Sequence, residues 1–473
     1  SRPLRLENVN GGSGYQSMTM YVNHPRLAEP GNPNSKIIAA QDLRKLVIDF
    51  VKGAKKEIMF NVFDFDLQPI ADAMIAQNAL GVKIHGGVDL AVYNTRPEVK
   101  AVVDTMIAKK SSGLDITLVS SVGLNHQKMI VRDAGTADAA ILLLSGNFTQ
   151  SCIGPEGDAI ALPPKLRPKG SIPNANHALM IRGQIPAAVV KQELRKTLVY
   201  GIKGQSSYPV GGAFQIMGAK PDPKSKRARS WMILTFSPNG GLGEINRDIL
   251  TRVIRETRGP MQALHFAFSS DILQNEIVAR IKREADRKRA KGLPAKDLFF
   301  SVGDTPFAMQ FWSVFLGLSG LERNVETGKY SPLAVDPLRS ILNASDLENL
   351  RSNIRVAPRV YGEKHVKVEG QSVKLTSKIH HKVFVFPESE VSVVGTSFNP
   401  SASAETNQEQ VMIVRDAGIA KIARGMFEYL YRNSPASVAE EAARRNDRPV
   451  IEKNDGPEDG LDAAIVAPVA PAI

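Results

Sequence analysis

One half of this sequence echoes the other. The stretch "DLRKLVIDFVKGAKKEIMFNVFDFD" from Asp42 and "DILTRVIRETRGPMQALHFAFSSD" from Asp248 lie side by side without a gap. Asp42 then meets Asp248, Lys52-Gly53 meets Arg258-Gly259, and Phe60 meets Phe266. In both copies apolar residues at helical spacing (Leu43, Leu46, Val47, Phe50; Ile249, Val253, Ile254) run into a basic-Gly helix stop. An alternating strand follows, Ile58, Phe60 and Val62 in one copy and Leu264, Phe266 and Phe268 in the other. A second helix and a strand ending in aspartate, Asp89 or Asp304, complete each unit. This alternation predicts two similar α/β repeats, each a mixed, mostly parallel sheet flanked by helices, packed as a pseudo-twofold pair.

The repeat sets the predicted borders: a first domain over 1–217, a linker over 218–235, a second domain over 236–433 and a disordered tail over 434–473. The linker contains "GAKPDPKSKRARS", rich in Pro, Gly, Ser and charge; the tail has little apolar periodicity. A length of 473 residues suits two cores better than one. The single Cys152 excludes an internal disulfide, and no run of eighteen apolar residues marks a membrane span. Sixty Lys+Arg against 48 Asp+Glu give a net charge of +12, which favours a polyanionic partner, nucleic acid or an anionic membrane surface. The chain starts at Ser1 rather than Met, which fits either a removed leader or an engineered start; the compartment stays open, with a lean to a secreted or periplasmic location.

Within this frame each half carries the same polar signature on an apolar strand. "LNHQKMIVRDAG" holds His126, Lys128 and Asp133, and "KIHHKVFVFPE" holds His380 and Lys382. Residues two apart share one face of a strand, so each half presents an imidazole and an ammonium together. A Ser/Asn turn follows each, Ser145 with Asn147 and Ser397 with Asn399. Beyond the turns stand "NANHALMI" with Asn174 and Asn176, and "TNQEQVMIV" with Asn407 and Glu409.

These paired motifs resemble the phospholipase D superfamily, whose signature is H-x-K-x(4)-D followed by a G-S/T-x-N type of turn. The resemblance spans roughly residues 20–430. His126, Lys128 and Asp133 match the first motif in full, and His380 and Lys382 match the second, where Pro387 takes the place of the aspartate. The glutamate that the family often carries after the turn is Glu409 in the second copy and Asn176 in the first. The resemblance implies a phosphodiesterase whose catalytic set is His126, Lys128, Asp133, His380, Lys382 and Glu409, with Ser145, Asn147, Ser397 and Asn399 binding substrate. It implies His126 as nucleophile and His380 as general acid and base, although the residues themselves support either order. No cofactor or metal is called for, and two motifs in one chain make a monomer sufficient for the active site.

The chemistry accounts for the residue types. Two ammoniums neutralise the phosphodiester oxygens, one neutral imidazole attacks phosphorus, and the other protonates the departing oxygen. A carboxylate behind an imidazole fixes its tautomer, a role that suits Glu409 to the second copy. Other histidines have plainer readings: His24, His85 and His265 as core or surface residues, His365 with Lys367 as a chance pair, and His381 facing solvent across the strand. His177 is a candidate helper for the first copy. An acid after such a strand can also brace the fold, an alternative role for Asp133. A His/Asp/Glu metal site is disfavoured because lysine is a poor divalent ligand.

Three functions fit. The first is cleavage or transfer of a phospholipid head group through a phosphohistidine, aided by apolar loops at 153–170 and 307–321. The second is a metal-independent nuclease that tracks phosphates with Lys224–Ser230 and Lys282–Gly292. The third is a non-catalytic binding protein, motivated by Pro387 and Asn176.

Overall fold

The computed structural model describes residues 6–8, 14–23, 41–109, 113–121, 123–154, 173–200, 212–218, 229–238, 245–358, 361–368 and 371–447. The 153–170 loop and the Lys224–Ser230 stretch lie almost wholly outside them, as does His24.

Two large mixed sheets carry the architecture. The first sheet uses β2 (Ser17–Val22), β3 (Glu57–Val62), β4 (Lys83–Asp89), β5 (Leu114–Val119), β6 (Lys128–Arg132), β7 (Ala140–Leu144) and β8 (His177–Arg182) in the order β2-β8-β7-β6-β3-β4-β5. The second has nine strands: β1 (Leu6–Asn8), β9 (Ala213–Met217), β10 (Trp231–Ser237), β11 (Met261–His265), β12 (Phe299–Gly303), β15 (Ile354–Val356), β18 (Lys382–Phe386), β19 (Val391–Val393) and β20 (Glu409–Arg415). Their order is β1-β9-β10-β20-β19-β18-β11-β12-β15. Two hairpins stand apart, β13 (Leu321–Arg323) with β14 (Tyr330–Pro332), and β16 (Gly362–Val368) with β17 (Gln371–Ser377). His365 and Lys367 fall on β16, away from both large sheets.

The mixed α/β class is as expected, but the mostly parallel character is not. In the first sheet only β3–β4 and β4–β5 pair in parallel; the pairs β2–β8, β8–β7, β7–β6 and β6–β3 are antiparallel. Helical crossovers impose parallel pairing early in each repeat, whereas short returns such as 133–139 and 387–390 lay the next strand antiparallel.

Both sheets turn one face to a shared core. Val131, Ile141 and Leu179 of the first half pack with Val383, Val385 and Met412 of the second. The helices Gln184–Tyr200 and Ala417–Arg432 supply Val190 and Leu194, and Met426 and Leu430, to the same core. Each outer face has its own core under the remaining helices: Leu43, Val47 and Phe50 in the first half, Ile249, Leu250 and Ile277 in the second.

The domain borders differ from the sequence reading. β9, placed in the first domain, pairs with β10 of the second sheet, and β1 joins β9 in parallel. β10 itself lies in the expected linker. Residues 434–447 do not form the predicted tail, because Val438–Asn446 is a helix with a Ser437/Glu440 capping box that buries Val438 and Ala442. The repeat register also shifts: Val62 opposes Lys128 and His265 opposes Lys382, so Phe266 is equivalent to Phe63 rather than Phe60. The turn after Gly259 is shorter than the turn after Gly53, since β11 begins at Met261 while β3 begins at Glu57.

Candidate active site

The segments before β6 and β18 cross from one half to the other. His126 N–H donates to the carbonyl of Gln408 at 2.9 Å, and Gln408 N–H to that of Leu124 at 2.9 Å. On the other side His380 N–H reaches Ala175 at 2.9 Å, and Ala175 N–H reaches Lys378 at 2.9 Å. Each motif therefore lies against the strand entry of the opposite half. Side chains fix the same two segments: Asn407 Oδ1 accepts from Leu124 N–H and Asn174 Oδ1 from Lys378 N–H, both at 2.8 Å. The strand-ending aspartates repeat the pattern. Asp89 accepts the N–H of Asn125 at 3.1 Å and Asp304 that of Ile379 at 2.9 Å, each holding the residue just before a motif histidine.

This crossing decides which group stands behind each imidazole. Glu409 of the second half lies 2.8 and 2.9 Å from His126 Nδ1 of the first half. His380 Nδ1 lies 3.1 Å from Asn176 Oδ1 of the first half. The sequence reading paired Glu409 with the second copy; the structure corrects this, since a linear motif order carries no sign of an exchange between halves. Asn176 Nδ2 donates to the Cys152 carbonyl at 2.9 Å, which orients its oxygen toward His380. In both imidazoles Nδ1–H is thereby the donor, and Nε2 is left to face the reaction.

The remaining predicted residues divide. Lys128 Nζ donates to the carbonyl of His126 at 2.5 Å and Lys382 Nζ to that of His380 at 2.8 Å, so each ammonium is held beside its own histidine. Ser145 and Ser397 were expected to bind substrate, yet their hydroxyls serve the groups behind the histidines. Ser145 Oγ donates to Asn176 Oδ1 at 2.9 Å, and Ser397 Oγ donates to Glu409. The turn asparagines differ from them. Asn147 Oδ1 and both amide atoms of Asn399 are buried with no partner among the described residues, which is costly unless a ligand satisfies them.

Asp133 is not part of this cluster. It is buried just past β6 in a left-handed conformation, φ 51°. Its carboxylate accepts the backbone N–H groups of Lys55 (2.9 and 3.1 Å), Lys56 (2.7 Å) and Glu57 (3.1 Å), closing the turn that leads into β3. The shorter turn of the second half offers no such row of amides. There Arg280 donates to the carbonyls of Ile254, Thr257 and Gly259 instead, and Pro387 ends β18. The missing second aspartate thus follows from a shorter turn.

His177 and His381 also leave their predicted places. Both are fully buried between the halves, their Nδ1 atoms 2.9 Å apart and their rings stacked. Gly395 N–H donates to His177 Nε2 at 2.8 Å, so His177 carries its proton on Nδ1 and donates to His381. Neither of them reaches a motif histidine in these contacts. A buried polar chain that the sequence reading missed flanks His126: Asn61 pairs with Asn125 at 2.6 and 2.9 Å and with Gln127 at 2.9 Å.

Burial dominates the electrostatics. It lowers the His126 pKa to about 4, against the opposing pull of Glu409 and with Lys128 and Lys382 adding to the depression. His380 is pushed well below the ordinary imidazole value by burial, then by Lys382, Lys128, His126 and Lys378. His265 is depressed likewise by burial and Lys382. Its two ring nitrogens have no partner among the described residues, and it packs between Phe268 and Phe384. Such groups take up protons in the unfolded chain first, so stability falls as pH drops below the ordinary imidazole pKa of about 6.5. His265→Phe is expected to raise the urea midpoint and to flatten its pH dependence between pH 6.5 and 4 by about one proton. Equal slopes in the two proteins would show that His265 does not titrate this way.

Two equivalent sheets thus bring two H-x-K strands to one buried centre, each histidine braced from the opposite half. Two H-x-K strands meeting at one centre is the arrangement that the sequence resemblance to the phospholipase D superfamily implies. No family model matches the sequence, and no curated protein does. Solved structures of similar fold include phosphatidylserine synthase from Haemophilus influenzae Rd KW20, at 11% identity over 83% of this chain and 84% of that one, TM-score 0.48. The phospholipase D family member Nuc from Salmonella typhimurium is similar at 18% identity over 39% of this chain and 97% of its own, TM-score 0.28. NucT from Helicobacter pylori is similar at 14% identity over 39% and 96%, TM-score 0.28. These likenesses concern the fold alone. Among the described residues no group of three His, Cys, Asp or Glu side chains forms a metal cluster, and no helix is long and apolar enough to cross a membrane.

Proposed function

We propose that the chain is a phosphodiesterase of phospholipase D type that transfers a phosphatidyl group through a covalent phosphohistidine on His126. The observation that carries this reading is Glu409 at 2.8 Å from His126 Nδ1. When Nε2 attacks phosphorus, the ring keeps its Nδ1 proton and becomes cationic. A buried carboxylate at that nitrogen stabilises the phosphoimidazolium more than the neutral ground state, which is the condition for catalysis. His380 has only the neutral Asn176 behind it and lysines around it, so once its Nε2 is protonated it gives that proton up readily to the departing oxygen.

The two steps balance. His126 Nε2 forms the bond to phosphorus, the ester P–O bond breaks, and the departing oxygen takes the proton of His380. Water or an alcohol then gives its proton back to His380 as it attacks phosphorus, and the His126–phosphorus bond breaks. Lys128 and Lys382 neutralise the phosphoryl oxygens, and Asn399 Nδ2 donates to them.

A phospholipid is favoured over nucleic acid by two features of the second half. The helix Asp271–Arg289, the basic stretch expected to follow phosphates, answers its cations in place: Lys282 pairs with Asp286, Arg283 with Glu276, and Arg287 with Glu284. On the second half, meanwhile, Phe311 is 50% exposed beside the partly buried Trp312. Incubation with mixed phospholipid vesicles, EDTA and ethanol is expected to yield phosphatidic acid and phosphatidylethanol by mass spectrometry. Silence there, with cleavage of a single-stranded oligonucleotide under the same conditions, would replace the lipid by nucleic acid.

A further inference from the structure

The two lips of the centre differ in chemistry. Beyond β3 the chain carries Asp64 and Asp66, and Arg96 after β4 ion-pairs with Asp64, with Asp66 at 3.4 Å and with Glu98 at 2.7 Å. Each half sets one ring on its motif histidine, Phe63 lying 5.7 Å from His126 between centroids, but only the second half extends that ring into a series. Phe266 packs on His380 at 4.9 Å between centroids, Phe307 on Phe266 at 4.2 Å, and Trp312 on Phe307 at 6.2 Å. Leu124 of the first half packs against the same cluster. Its inner rings are covered, as the two catalytic histidines are, while Phe311, next to Trp312 in sequence, is half exposed.

From this asymmetry we infer that the alcohol that leaves from the phosphoryl group, or enters in its place, is uncharged and carries an apolar or aromatic group seated on Phe307 and Trp312. This rests on the assignment of His126 as nucleophile. In-line displacement expels the leaving oxygen on the side opposite the attacking nitrogen, which is the side of His380 and its ring series. A cationic head group would ordinarily be drawn to aromatic faces. Here lysine ammoniums already occupy those faces: Lys378 Nζ lies 5.4 Å from the Phe266 centroid and 5.9 Å from Phe307, and Lys382 Nζ lies 5.1 Å from Phe266. A quaternary or primary ammonium at the same place meets like charge, a repulsion that a neutral apolar group does not meet. The specificity expected is therefore the opposite of a choline or ethanolamine site.

The sequence has two tryptophans, Trp231 and Trp312, so Trp231→Phe leaves Trp312 as the sole reporter. Its fluorescence is expected to be quenched saturably by 4-nitrobenzyl alcohol, restored by benzyl alcohol and untouched by choline. Adding Phe307→Ala is expected to weaken that binding about fivefold through lost apolar contact. Quenching that rises linearly without saturation, or choline that restores the signal as well as benzyl alcohol does, would overturn the inference. A second readout uses the catalysed reaction: with equal ethanol and benzyl alcohol, the phosphatidyl group is expected to partition to benzyl alcohol by about tenfold, less in Phe307→Ala. The ratio is independent of how fast the intermediate forms, and a ratio near one contradicts the assignment. If no donor is turned over while the fluorescence result holds, the catalytic reading fails and the apolar subsite stands.

Discussion

His126→Ala is expected to abolish phosphatidyl transfer, by about four orders of magnitude or more, while the protein keeps its fold. Loss of the nucleophile removes the covalent route itself, and residues that act as one unit lose nearly everything together. His380→Ala is expected to behave differently. The attack by His126 remains, so a donor with a good leaving group such as 4-nitrophenol should still give one rapid turnover. Hydrolysis then stalls, because the incoming water has no base, and steady-state turnover falls by about a hundredfold or more. Burst kinetics separate the two variants: a burst equal to enzyme concentration in His380→Ala and none in His126→Ala. Two variants with the same residual rate and no burst would reverse or remove the assignment of roles.

Asp133→Ala is expected to be among the most destabilising single changes in the first half, at about 3 kcal/mol, with little effect on catalysis. The carboxylate is buried and takes backbone N–H groups from Lys55, Lys56 and Glu57. Removing it leaves those amides without their acceptor, and each hydrogen bond to a charged group is worth about 1.5–3 kcal/mol, though not additively. Asp133→Asn, which keeps one acceptor oxygen, should lose less. The measurement is urea unfolding of each variant, with kcat taken at a temperature where all remain folded. A fall in kcat of a hundredfold with unchanged stability would return Asp133 to the catalytic set.

What the sequence made legible followed from local rules. The doubled helix–strand pattern, the placing of His126 and Lys128 on one strand face and the matching of His380 with Lys382 all depend on spacing alone. The ends of β4 at Asp89 and of β12 just before Asp304 were equally plain, though not that each carboxylate would hold the residue before a histidine. What remained hidden is relational. That Glu409 braces His126 and Asn176 braces His380 depends on two segments crossing between the halves, and no linear order encodes such an exchange. Ser145 and Ser397 looked like substrate contacts because the turn was visible and its neighbours across the strand were not. The pairing of His177 with His381 is hidden for the same reason, since the two lie on different sheets. Strand direction failed for another cause: alternation of strand and helix suggests parallel pairing, but β6 and β7 are joined by the short return 133–139, which leaves no room for the crossover that parallel pairing needs.

The central claim is that a phosphohistidine forms on His126, supported by a carboxylate from the other half. The most direct measurement is intact and peptide mass spectrometry of His380→Ala mixed with phosphatidyl-4-nitrophenol and quenched in alkali, where phosphohistidine survives. The account predicts one phosphatidyl adduct per chain, on the peptide containing His126, and none when His126→Ala is added. An adduct on another residue, or a burst of 4-nitrophenol with no adduct at all, would contradict it.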